Sequence, residues 1–141
     1  MPDELKPLRV TSSDLSPDGA LKAWGRADGL VEIHQSHGRM LVTSRLPHDS
    51  SICAIRFSDD GLLVATGAEA NIRIWGARSG LLIAGPLKAD NGVVIGLRFT
   101  EDGKHLVSLS SSNSLAVWDT RSWQLRGSRM VPISPQQSQF R

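Results

Sequence analysis

The chain has 141 residues, 40% of them hydrophobic and 21% charged, with 16 Lys and Arg against 14 Asp and Glu and a formal net charge of +2. This is the size and make-up of one folded domain, which excludes a disordered polar chain, and the charge is too small to argue for nucleic acid. A single cysteine excludes an intrachain disulfide framework, and no apolar run reaches the roughly 20 residues of a membrane helix.

In chain order, apolar and β-branched runs of strand length predict strands near 8–15, 20–25, 29–34 and 39–45. The same reading gives 52–58, 62–67, 71–76 and 81–86, then 94–100, 105–110, 114–119 and 124–130. Gly, Asp, Ser and Asn separate the runs and mark turns. No window has a 3.6-residue apolar period, so no helix is predicted. The start, Met1-Pro-Asp-Glu-Leu-Lys6, has early acids and no apolar core. It does not read as a secretory signal, and a cytoplasmic location is expected.

The twelve strands fall into three copies of one unit. Ser16-Pro-Asp-Gly19, Ser58-Asp-Asp-Gly61 and Thr100-Glu-Asp-Gly103 place their glycines 42 residues apart. The flanks agree as well. Ile52-Cys-Ala-Ile-Arg-Phe57 corresponds to Val94-Ile-Gly-Leu-Arg-Phe99, and Asn71-Ile-Arg-Ile-Trp75 to Ser114-Leu-Ala-Val-Trp118. The first copy is weaker but in register. First strands such as Ile52 to Phe57 are apolar on both faces, so both faces are expected to be covered, with Cys53 a buried inert thiol. Fourth strands such as Trp123 to Arg129 are polar and suit an outer edge. Small sheets stacked face to face meet both demands, as in propeller blades around a channel.

The period, the Asp-Gly turn after Phe-Ser or Phe-Thr, and Trp118-Asp119 resemble the WD-repeat family. The repeat style is similar to bacterial members. The resemblance implies an all-β fold, a partial β-propeller of three four-stranded antiparallel blades. Residues 1–7 form an N-terminal extension and 8–47 a degenerate first blade. Residues 48–89 and 90–131 form the second and third blades, and 132–141 a disordered tail.

The family resemblance also implies a hydrogen-bonded set in each blade: His, Ser or Thr, Asp, and Trp. The second copy offers His48, Thr66, Glu69 and Trp75, with Gly76 where the Asp of the Trp-Asp pair is expected. The third keeps Ser108, Trp118 and Asp119, with Asp90 at the His position and Ser112 at the Asp position. The first keeps Asp28, and His34 stands where Trp is expected. No copy is complete, so weaker blades are expected.

Three blades cannot easily close a ring, since propellers generally have 4–8. Each end would leave a largely apolar face in water, well above a few hundred Å². A piece of a longer propeller resolves this, as do two copies making six blades; an open three-blade stack is the remaining possibility.

No catalytic, metal or cofactor site is assigned. His34 and His37 lie across a strand end without a third ligand nearby, His48 fits a structural bond, and no Ser sits in a Gly-x-Ser-x-Gly context. The family resemblance instead implies a non-catalytic scaffold that binds protein partners at one rim, where Asp49, Ser50, Asp90, Asn91 and Asn113 are candidates together with Glu69 and Ser112. The alternatives are a small-ligand or carbohydrate-binding propeller formed by oligomerisation, with Trp24 and Trp123 as stacking candidates, or an accessory propeller of a missing kinase or protease domain. Neither a membrane nor nucleic acid is expected as a partner. The last 22 residues hold four arginines and no acid, leaving 12 basic and 14 acidic residues before them. This stretch reads as a solvated outer strand and tail.

Overall fold

The computed structural model describes residues 9–35, 40–43, 48 and 50–131. The expected extension at 1–7 and tail at 132–141, with His37 and Asp49, lie outside the described residues. Three four-stranded antiparallel sheets follow one another along the chain. The first holds β1 (Val10–Leu15), β2 (Leu21–Arg26), β3 (Val31–Gln35) and β4 (Met40–Thr43). The second holds β5 (Ala54–Phe57), β6 (Leu63–Ala68), β7 (Asn71–Gly76) and β8 (Leu82–Leu87). The third holds β9 (Val94–Phe99), β10 (His105–Ser110), β11 (Ser114–Asp119) and β12 (Leu125–Met130). Each sheet keeps strand order one to four, the all-β partial propeller expected from the repeats, and no helix occurs among the described residues.

The periodic tetrads make three identical turns. In each, the Ser or Thr hydroxyl donates to the Asp carboxylate, at 2.7 Å from Ser16, 2.6 Å from Ser58 and 2.6 Å from Thr100. The same carboxylate accepts the backbone N–H two residues on, from Ala20, Leu62 and Lys104. The hydroxyl oxygen in turn accepts the N–H that opens the second strand. The closing glycines have φ of +75°, +74° and +71°, where a Cβ would be strained. The repeat is therefore set by turn chemistry that fixes the register of the first two strands.

Two cores separate three sheets. Between the first and second lie Leu21, Ala23, Val31 and Ile33 against Ile52, Ile55, Phe57, Val64 and Trp75. Between the second and third lie Ala54, Ala65, Ile72 and Ile74 against Val94, Leu97, Phe99, Leu106, Ala116 and Trp118. The middle sheet is thus packed on both faces. Close approach at each seam depends on a glycine: a Cβ on Gly25 would lie 2.3 Å from Ile52 Cγ2, and one on Gly67 would lie 2.4 Å from Val94 Cγ1. Polar contacts tie the first strands together. Phe57 N donates to Asp14 Oδ2 at 2.9 Å, and Arg56 Nε donates to Leu97 O at 3.2 Å.

Two sequence expectations are corrected. Cys53 is exposed, and so is Ile95, its counterpart in the third sheet. A first strand packs one set of side chains between sheets, while residues at these positions meet open solvent on the side where the first strands converge. The ends are also not both apolar. On the outward face of the first sheet, Lys22 pairs across with Leu15 and His34, where the other sheets hold Val64 with Phe57 and Trp75, or Leu106 with Phe99 and Trp118. That face carries a charged cluster instead of a seam. The fourth strand of the last sheet is exposed along its whole length, as its polar sequence suggests.

Candidate functional site

The second sheet brings three of its four predicted network residues together. His48 and Thr66 are buried, with His48 Nε2 2.7 Å from Thr66 Oγ1. Trp75 Nε1–H donates to the same hydroxyl at 2.8 Å. One hydroxyl thus links the segment before the first strand to the third strand, inside the seam with the first sheet. The backbone of His48 is held as well, its N–H donating to Gly29 O at 2.9 Å. Glu69 stands apart. Its side chain is exposed at the rim, and its backbone N–H donates to Ser50 Oγ at 3.0 Å. The tight turn at Ala70, with φ of 63°, keeps this loop short.

The third sheet divides the same task. Trp118 Nε1–H donates to Ser108 Oγ at 3.1 Å. Asp90 forms a separate cluster, accepting from Ser110 Oγ at 2.9 Å, Ser112 Oγ at 2.8 Å and Gly92 N at 2.8 Å. Burial opposes ionisation of Asp90, but the bonds from Ser112, Gly92 and Ser110 outweigh it and hold its carboxyl below the usual range. Ser110 ends β10 in the run Ser110-Ser-Ser112, which the sequence marks as turn chemistry and not as a site. Asp119 serves the outer turn. Backbone N–H groups of Ser122 and Arg121 donate to it, and Arg126 Nη2 lies 3.0 Å away. Those two backbone bonds are the main reason its carboxyl is lowered to about 2.

In the first sheet the corresponding positions hold an aromatic pair. Trp24 and His34 have ring centroids 4.3 Å apart, and Lys22 Nζ sits 5.8 Å from the Trp24 ring. Glu32 bonds both His34 Nε2, at 2.9 Å, and Arg26 Nη1. Desolvation raises the Glu32 carboxyl, yet these two partners bring it below its ordinary value. Asp28 pairs with Arg26 at 2.9 Å and accepts from Leu30 N–H. Trp123, the other stacking candidate, packs against the second core.

The predicted rim is built from loops bonded across sheets. Ala70 N donates to Gly92 O at 3.0 Å, Glu69 bridges to Val93, and Val93 N donates to Ser111 Oγ at 3.0 Å. Ser50 is half-buried beneath Glu69, Asn91 is exposed, and Asn113 adopts φ of 65° in the β10–β11 turn. At the opposite rim two clefts adjoin. One, of about 340 Å³, is lined by Asp59, Asp60, Glu101 and Asp102; the other, of about 540 Å³, is lined by Lys104, His105, Arg121 and Arg126 with Asp102 and Asp119. Among the described residues, no helix is long and apolar enough to cross a membrane.

The WD40 family model, described as WD domain, G-beta repeat, matches residues 39–76. Autophagy-related protein 16 of Arabidopsis thaliana is 28% identical over 111 residues, covering 72% of this chain and 22% of that protein. Pre-mRNA-processing factor 19 homolog 2 of the same plant is 30% identical over 76 residues, covering 54% of this chain and 14% of the other. An uncharacterized WD repeat-containing protein of Synechocystis is 25% identical over 117 residues, 82% of this chain and 33% of the relative. The chain therefore spans at most a third of these three relatives. Among solved structures, U3-55K matches with a TM-score of 0.82 at 23% identity, over 88% of this chain and 40% of that one. Sqt1 of Chaetomium thermophilum, solved bound to the N-terminus of ribosomal protein L10, matches with a TM-score of 0.78 at 24% identity, over 86% and 36%. These structural likenesses show the fold.

Proposed function

We propose that the chain, whose residues 39–76 match the WD40 repeat model, is a WD-repeat protein and a non-catalytic scaffold that binds a protein partner as part of a larger propeller or multidomain protein. WD repeats generally mediate contact between proteins. The observation that supports this reading most is the rim, where backbone bonds between Ala70 and Gly92 and between Glu69 and Val93 fix neighbouring loops. Exposed polar side chains such as Glu69 and Asn91 then project from a rigid base. A fixed loop loses little entropy on binding, which favours recognition. The buried His48–Thr66–Trp75 set and the Ser108–Trp118 pair act in this reading as struts. Asp90, with Ser110 and Ser112, acts as a rim clasp.

The test is affinity capture with the intact chain and with a Glu69→Lys, Asn91→Arg double variant. The reading predicts that the variant loses a specific protein partner while its unfolding midpoint stays unchanged. A partner retained equally by both would reject this rim as the binding surface.

A further inference from the structure

The three sheets end in different fourth strands. β4 is four residues long. β8 presents no regular edge: its pairing with β7 shifts register twice, and Pro86 has no N–H to offer. β12 has no proline, and all six of its residues are exposed. Its one register shift lies at its start, between Val117 and Trp118 of β11, and the pairing then runs unbroken from Gly127 to Met130. Val131 N donates to Asn113 O. By strand alternation Gly127 and Arg129 bond β11 in the same way, and the N–H and C=O groups of Ser128 and Met130 point away from the sheet. No strand covers them among the described residues. Sheets in this chain stack on their faces, so a further sheet would leave this edge open as well.

The edge also carries charge of one sign. Arg126 and Arg129 lie on β12, and at its start opens the cleft of about 540 Å³ lined by Lys104, His105, Arg121 and Arg126. The two acids of that cleft are occupied by the turns. Asp102 accepts from Thr100 Oγ1 and Lys104 N, and Asp119 accepts from Arg121 N, Ser122 N and Arg126 Nη2. Lys104, Arg121 and Arg129 have no ion-pair partner among the described residues. At the far end of the strand, Met130 is 65% exposed and offers an apolar cross-strand contact.

We propose that β12 takes an extended acidic segment of a partner protein as a fifth, antiparallel strand. The segment pairs its backbone with Ser128 and Met130 and sets an apolar residue beside Met130. Its acids follow downstream, where the antiparallel sense delivers them to the cleft. Main-chain bonds hold such a strand, and side chains on either side select it. A second copy of β12 is the wrong occupant, because pairing two of these edges would gather four arginines with no acid on either strand. The outer edge and its cleft lie away from Glu69 and Asn91, so this surface is independent of the partner-binding rim.

The experiment titrates the intact chain with a fluorescein-labelled peptide of alternating valine and threonine followed by a run of glutamates, read by fluorescence anisotropy. A second peptide has the same composition with the glutamates placed first. Ser128→Pro removes one outward N–H and spares the bonds to β11. A Lys104→Glu, Arg121→Glu double variant reverses the charge of the cleft. The reversed peptide order and each variant are expected to weaken binding at least about tenfold. In the complex, the amides of Ser128 and Met130 are expected to exchange at least about tenfold more slowly than in the free chain. That exchange measurement needs no variant, and it decides alone where Ser128→Pro perturbs the fold. Absence of binding, equal affinity for both peptide orders, or unchanged exchange at the two amides would overturn the proposal. So would an oligouridylate that binds more tightly than the peptide and is unaffected by Ser128→Pro, since the arginines would then be reading phosphates.

Discussion

The second sheet and the first share a backbone register and differ in what fills it. In the second, Val64 and Trp75 face a neighbour, and Trp75 is 1% exposed. In the first, Lys22 and His34 occupy the equivalent pairing, with Glu32 and Arg26 completing an ion cluster. The turn Ser-x-Asp-Gly is the same in both. Strand geometry in this protein thus follows from turn hydrogen bonds, and the choice between a buried seam and a charged surface follows from a few side chains.

The difference predicts unequal responses to substitution. Trp75→Ala should have the largest effect, about 3–5 kcal/mol, because it opens a cavity in a sealed seam. His34→Ala in the first sheet should cost less, about 1–3 kcal/mol, because it removes the Trp24 contact and one hydrogen-bond partner of the partly buried Glu32. Chemical denaturation of the two variants measures both; equal losses would remove the distinction. Gly67→Ala should cost about 1–3 kcal/mol by overpacking against Val94, while Gly127→Ala, whose added Cβ meets nothing within 4 Å, should be close to neutral. Thr66→Val should cost about 1–3 kcal/mol by leaving the Trp75 N–H and the His48 ring nitrogen without their shared hydroxyl.

The smallest effect is at the exposed outer turn. Asp119 has its carboxyl lowered from 3.8 to about 2 by backbone bonds from Ser122 and Arg121. A depressed carboxylate stabilises the fold above its unfolded value and loses that contribution as the pH falls through its folded one. Asp119→Asn should therefore flatten the acid side of the stability profile between about pH 4 and pH 2. A profile unchanged by this substitution would show that the turn bonds do not favour the ionised form.

The sequence made the strands, turns and order of the sheets legible because all three repeat. Gly61 and Gly103 recur with Asp60 and Asp102, and a local hydrogen-bond pattern leaves a local trace. Facing was less legible. Cys53 and Ile95 sit in apolar runs that do not alternate, and a run of one composition does not say which residues pack and which face the open side. The charged face of the first sheet was hidden for the same reason, since Lys22 and Glu32 show as a cluster only once strands pair. The Asp90, Ser110 and Ser112 clasp joins residues about 20 apart through side chains alone.

Native-state hydrogen exchange of the intact chain tests the central claim most directly, namely that stability concentrates in the sheet packed on both faces. Amides of Val64, Ile72 and Ile74 should be the slowest to exchange, those of β10 and β11 intermediate, and those of β12 fastest. Exchange that is slowest in the first sheet, or uniform across all three, would contradict the account.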